Sequence, residues 1–295
     1  MIGSVPARLS RLTGVFLLLL LSMKSVAERT LHFNLVPRAD VETRLARYQG
    51  GNKQRQATLK QMFADAGCGE HLSEQRLSPR PPNLICVLPG TSDRTIIVGA
   101  HYDRVLQGDG VADNWSGASL LPSLYEAIKT EPRHHTYAFV AFSAEEEGLI
   151  GSRAYVRRMT RAQVSATDAM VNLDTLGLDS TSVWVSHSNE ELVRALAYIA
   201  KLINSPVKGL DFEQVGSTDS ESFADRKIRS ITVHSLNQKD NDAGILHSRK
   251  DKFSVINLEE YYETYRLMSV YLVYLDHCCD VKPASSEHPQ RLSGE

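Results

Sequence analysis

An excess of either charge is missing from this 295-residue sequence: 33 Lys and Arg stand against 35 Asp and Glu, a formal net charge of −2. That balance lacks the electrostatic footprint of a nucleic-acid binder. Cysteine is sparse, at four residues, and none has the paired spacing of a structural zinc site. Internal repeats, coiled-coil or collagen patterns and Gly/Pro/Ser-rich linkers are absent, so one globular unit is the simplest organisation. Function must therefore be read from sites rather than from bulk composition.

What is present begins at the N-terminus. Arg8 and Arg11 precede an apolar run from Leu12 to Met23, and Ser25-Val26-Ala27 follows with small residues. A run of about 12 residues suits the apolar centre of a signal peptide and is short for a membrane span of ~20. Residues 1–27 are therefore expected to be a signal peptide, directing the protein to secretion or the periplasm, with no stable membrane association after cleavage. No cysteine follows the run to carry a lipid anchor. Export makes disulfides available. Cys68 and Cys86 flank a polar, Pro-rich loop from Glu70 to Pro82 and are the expected pair. Cys278 and Cys279 are adjacent, and pairing them with each other would be strained. The other connectivities, and four free thiols, stay open.

Short β-branched runs bounded by turn residues read as strands at Asn83–Leu88, Thr95–Ala100, Thr136–Phe142, Ala169–Leu173, Ser182–Ser186 and Ser230–His234. Helical stretches lie between them. One opens with Ser188 and Glu191 in capping-box spacing, and the last, about Leu258 to Tyr274, opens with Asn257 and Glu260 in the same spacing. Strands apolar throughout and alternating with helices imply a three-layer α/β/α sandwich on a mixed, mostly parallel sheet. The catalytic domain is expected over 28–282, and the Pro-, Ser- and charge-rich tail 283–295 is expected to be disordered.

Acids and histidines gather where these strands end. His101 and Asp103 follow one strand, Glu145, Glu146 and Glu147 another, and Asp174 a third; Asp113 lies in a Gly-rich loop and His247 in a late one. Open α/β sheets bind ligands at the carboxyl ends of their strands, where these groups could converge. Singly each is weak: a lone Asp after a strand is usually a turn-former, and three successive Glu usually face solvent.

Together they carry a resemblance. Ala100-His101-Tyr102-Asp103, Ala112-Asp113-Asn114-Trp115-Ser116-Gly117, Ala144 to Ser152 and Asn172-Leu173-Asp174 resemble, in order and spacing, the motifs of M28 metallopeptidases, and His247 resembles the last ligand of that family. The likeness runs from about Asn83 to Asp276. It implies two zinc ions per chain, with Asp113 bridging, His101 and Asp174 completing one site, and Glu146 and His247 the other. Neutral imidazoles and carboxylates suit zinc, and paired ions can acidify a shared water. Glu145 is then the general base, its register set by Gly148 to Ser152, and Asp103 orients His101. The implied function is a secreted aminopeptidase acting on peptides. Carboxypeptidase activity, a one-zinc glutaminyl cyclase of the same fold, and a non-catalytic peptidase-like domain are the alternatives.

Some positions depart from the family pattern. Leu246 stands where many relatives carry an aromatic residue, and Arg104 where most have a small one. Ser220 replaces the histidine of a Ser-Asp-His loop, within which Asp219 would cap a helix. Pro122 suggests a kink. Asn114-Trp115-Ser116 fits a glycosylation sequon but abuts the site.

Overall fold

The computed structural model describes residues 33–211 and 216–278. The expected signal segment, the tail and Cys279 lie outside these residues. In chain order the elements are α1 (Arg38–Leu45), α2 (Asn52–Asp65), β1 (Leu72–Leu77), β2 (Arg80–Leu88), β3 (Thr95–His101), α3 (Ser116–Ile128), β4 (Thr136–Phe142), α4 (Ile150–Arg158), α5 (Arg161–Ala166) and β5 (Thr167–Leu173). There follow β6 (Ser182–Val183), α6 (Glu190–Leu202), β7 (Lys208–Gly209), α7 (Ser220–Ala224), β8 (Ser230–His234), α8 (Gln238–Asp242) and α9 (Leu258–Cys278). The strands form one sheet in the order β1-β2-β4-β3-β5-β8-β6-β7. The central β4, β3, β5 and β8 run parallel, while β1 with β2, β2 with β4, and β6 with β8 are antiparallel.

The sheet is apolar throughout because both faces are covered. Side chains alternate along a strand. Ile96, Val98 and Ala100 of β3, with Tyr137, Phe139 and Ala141 of β4, point into the larger core beneath α1, α2, α3, α6 and α9. Ile97, Ala138, Val140, Phe142 and Met170 point the other way, against Val156 of α4 and Phe223 of α7. This is the three-layer mixed, mostly parallel sandwich expected from the sequence.

Three local readings are corrected. The Glu70–Pro82 segment is not a loop: Leu72–Leu77 forms edge strand β1, paired only with β2. Its polarity concealed it, as polar residues suit an edge exposed to solvent. Ser182–Ser186 shortens to the two-residue β6 and a tight turn over Val185–His187. The cap of α6 is Asn189, whose Oδ1 accepts the Glu191 and Leu192 amides, while Ser188 donates to the Trp184 carbonyl instead. Asn257 does cap α9, accepting the Glu259 and Glu260 amides. Pro122 lies inside α3, which continues to Ile128, and the irregular backbone falls earlier, at Asp113 and Asn114. Cys68 and Cys86 form a disulfide tying the end of α2 to β2. Among the described residues no helix is long and apolar enough to cross a membrane.

Candidate metal centre

The site sits at the carboxyl edge of the parallel strands. β3 ends in His101, which is 2% exposed, and hands the chain to the buried Tyr102 and Asp103. The Gly-rich loop then brings Asp113 back above the strand end. Asp251 fixes that loop: its carboxylate accepts the amides of Val111, Ala112 and Asp113 at 2.8, 2.8 and 3.1 Å. Asn114 closes it from the other side, donating to the Leu173 carbonyl and accepting the Gly117 and Thr175 amides. Gly117 permits this approach, since a Cβ there would stand 2.5 Å from the Leu173 carbonyl oxygen. Asn114 is fully buried, so its sequon is spent on the fold.

The loop after β4 is held at its ends and middle. Asn83 accepts the Ser143 amide at 2.9 Å and donates to the Gly151 carbonyl at 2.9 Å, pinning the first and last turns together. Asp103 accepts the amides of Glu145 and Glu146 at 3.1 and 3.2 Å. Within this loop Ala144 and Leu149 adopt left-handed backbone, φ 58° and 59°, and so does His247, φ 54°. Non-glycine residues are forced into that region only where surrounding contacts compel it, and such positions concentrate at functional sites.

The result is a convergence of all six expected side chains. Asp113 turns one oxygen to His101 Nε2 at 3.2 Å and the other to His247 Nε2 at 3.0 Å. His101 Nε2 also lies 3.6 Å from Asp174 and 3.9 Å from Glu145, and His247 Nε2 lies 2.9 Å from Glu146. His101 thus faces Asp113 and Asp174, and His247 faces Asp113 and Glu146. One ligand atom each from His101, Asp113 and Glu146 lies within 4.8 Å of the others, a spacing able to hold a metal ion. Asp103 stands 3.7 Å from His101 Nδ1, beyond hydrogen-bond reach, and its bonds go to the two glutamate amides.

Negative charge is under-compensated. Among the described residues no Lys or Arg lines the cavity. His101 Nδ1, Glu146 Oε1 and both oxygens of Asp219 are buried without a hydrogen-bond partner among the described residues. Burial raises the Glu145 pKa well above the carboxylate range, with Asp219, Asp174 and Asp113 adding to the rise. Burial likewise raises Asp219 to about 7. Hydrogen bonds donated to Asp113 and Glu146 raise His247, while those accepted from His101 and His247 pull Asp113 down despite its burial. Two imidazoles and four carboxylates gathered at one point are a donor set for divalent metal. The residues present fit zinc.

A cavity of about 240 Å³ opens from this cluster. Its far wall is Trp184, Thr232, His234, Leu236, Ile245 and Leu246. Leu246 thus lines this cavity. Arg104 does not reach it; its guanidinium folds back onto the Val105 and Gly108 carbonyls. Ser220 is buried against Thr232, Oγ to Oγ1 2.7 Å, and Asp219 makes no side-chain cap to α7. Sequence reasoning gave no role to Asn83 or Asp251. Asn83 was visible as a lone amide in an apolar strand, and Asp251 as the acid four residues beyond His247.

The chain is similar to known proteins. Aminopeptidase YwaD of Bacillus subtilis is 29% identical over 148 residues, 46% of this chain and 30% of its own. Leupeptin-inactivating enzyme 1 of Streptomyces exfoliatus is 32% identical over 150 residues, 50% of this chain and 34% of its own. The chain thus matches about a third of the length of these curated relatives. Among solved structures, the LapA aminopeptidase of Legionella pneumophila superposes with a TM-score of 0.71 at 19% identity, covering 84% of this chain and 71% of its own. A glutaminyl cyclase from an Acidobacteriales bacterium superposes at 0.70 and 17%, covering 86% and 99%. At such identities the likeness speaks for the fold alone. The family model described as Peptidase family M28 matches residues 83–272, from the β2 amide that pins the glutamate loop to the middle of α9, and the chain belongs to that family.

Proposed function

We propose that the chain is an exported, zinc-dependent aminopeptidase that binds two zinc ions and removes N-terminal residues from peptides. The observation that carries this is the convergence of two imidazoles and four carboxylates beside one cavity that, among the described residues, no Lys or Arg lines. Asp113, facing both imidazoles, would bridge the ions. His101 and Asp174 would hold one, and Glu146 and His247 the other. Bound zinc supplies Lewis acidity, polarising the scissile carbonyl and lowering the pKa of water. Glu145 takes a proton from the attacking water as its oxygen adds to the carbonyl carbon. It returns that proton to the peptide nitrogen as the C–N bond breaks, leaving a free carboxylate and a free amine. Glu145 would be held ionised for this task by the charge of bound zinc, against the upward pull of its burial. The disulfide supports export, since such bonds persist in oxidising compartments.

The test is a panel of aminoacyl, N-blocked and N-terminal-glutamine peptides, with and without chelator. Chelator-sensitive release of the first residue, abolished by N-blocking, is expected. Cyclisation of glutamine with one tightly held zinc would replace this reading with the cyclase one. Glu145→Gln should lower kcat by about 10²–10⁴-fold while bound zinc stays at the wild-type level; loss of metal or retained turnover would remove Glu145 from the role of base.

A further inference from the structure

Arg55 of α2 is fully buried. Its guanidinium donates to the Tyr102 carbonyl at 3.2 Å, the Gly110 carbonyl at 2.9 Å, the Asp109 carbonyl and, through Nε, the Tyr48 carbonyl at 3.3 Å. It lies 5.3 Å from the centre of the Trp115 ring, and the indole of Trp115 is held in turn by the Leu45 carbonyl at 2.9 Å. The neighbouring Asn52 adds a second tether from α2, accepting the Arg104 amide at 3.3 Å.

These carbonyls are not scattered. Tyr102 separates His101 from Asp103, and Asp109 and Gly110 lead into Asp113. One planar fork therefore sets the separation of the two loops that carry the innermost acids and imidazole. An arginine suits the task because its donors are fixed in a plane, whereas a lysine offers one rotating ammonium. Burial is the main influence on its pKa, lowering it to about 10, with Asp251, Asp103 and Asp113 opposing the fall; it is a cation at neutral pH. α2 also precedes residue 83, where the family match begins, so the brace comes from outside the matched core.

We infer that Arg55 is a positioning residue for the metal centre, setting zinc affinity through the Tyr102 and Gly110 carbonyls without touching metal or substrate. This rests on the two-zinc reading above. Removing such outer supports typically costs 10–100-fold in metal affinity. The experiment measures zinc affinity of the full chain by competition with a chromophoric chelator, alongside thermal stability. Variants are Arg55→Lys, which keeps the charge and loses the fork, Arg55→Met, and Asn52→Ala, which trims the second tether. His135→Gln, at the opposite edge of the sheet, is the control for general destabilisation.

Arg55→Lys should bind zinc at least tenfold more weakly and Arg55→Met more weakly still, with Asn52→Ala between Arg55→Lys and wild type. His135→Gln should bind as wild type despite a lower Tm. Wild-type affinity in Arg55→Lys overturns the inference, as does a loss in His135→Gln that tracks its Tm. Should Arg55→Met fail to fold, Arg55→Lys and Asn52→Ala decide the matter. A wild-type chain that binds no zinc defeats the metal reading instead, a result distinguishable from the others.

Discussion

Two clusters of histidine and carboxylate occupy opposite edges of the same sheet, and they are built to different rules. At the amino edge, His135 is fully buried between Asp276 at 3.1 Å from Nδ1 and Asp168 at 3.0 Å from Nε2. Arg94 pairs with Asp168 and Arg229 lies 3.7 Å from it, so cations match acids. The Asp276 carboxylate also accepts the His134 and His135 amides, which fastens α9 to the start of β4. At the carboxyl edge His101 and His247 face an excess of acids, some buried polar atoms lack partners among the described residues, and the backbone is left-handed at four non-glycine positions, Ala144, Leu149, Thr175 and His247. A neutralised cluster holds the fold together. One left short of cations is shaped for something that brings charge with it.

The sharpest way to break this contrast is Asp113→Ala. Turnover should fall on the order of 10³-fold, equivalent to the several kcal/mol such chemistry supplies, and bound zinc should be lost. Elemental analysis and a peptide assay read both, and full zinc occupancy in the variant would deny Asp113 its bridging place.

His135→Gln should do the reverse. Stripping a buried ion cluster of its central partner costs about 3–5 kcal/mol, seen in denaturant melts, with kcat/KM unchanged under conditions where the variant is folded. Its pH dependence has a definite sign. Hydrogen bonds to Asp168 and Asp276 raise His135 from 6.5 to about 9, against the opposing effect of burial. That stabilisation is therefore complete below about pH 6.5 and is lost as pH rises through 9. Asp168 falls from 3.8 to about 2, chiefly because His135 and Arg94 outweigh its burial. Its share is complete above about pH 4 and is lost as pH drops towards 2. The stability gap between wild type and variant should peak between about pH 4 and 6.5; a gap that keeps growing above pH 9 would contradict the assignment.

The smallest expected effect lies away from both edges. Replacing Cys68 and Cys86 together by Ser should cost about 2–4 kcal/mol while leaving zinc content and the pH profile of stability unchanged. A change in zinc content would mean that the β1–β2 hairpin governs the glutamate loop through Asn83.

The legible part of this molecule was its regular chemistry. Apolar runs with turn residues between them marked the central strands, and the spacing of His101, Asp113, the Glu145-Glu146 pair, Asp174 and His247 marked the groups that converge. Less legible were interactions made across long sequence separations by residues with ordinary local roles. Asp251 could have been any loop acid until three amides 138–140 residues away were seen to end on it. Arg55 sits in a polar helix whose pattern gives no hint of a buried guanidinium. β1 is hard to read because an edge strand needs few apolar residues, and the Ser188 spacing misleads because Asn189, one residue on, accepts the Glu191 and Leu192 amides.

The reach of Asp251 fixes the order in which the centre can form. The carboxylate that shapes the Asp113 loop is translated 138–140 residues after the amides it accepts. His247, which faces Asp113, comes from the same late segment. Until that segment is made, the Asp113 loop has its acid without its latch.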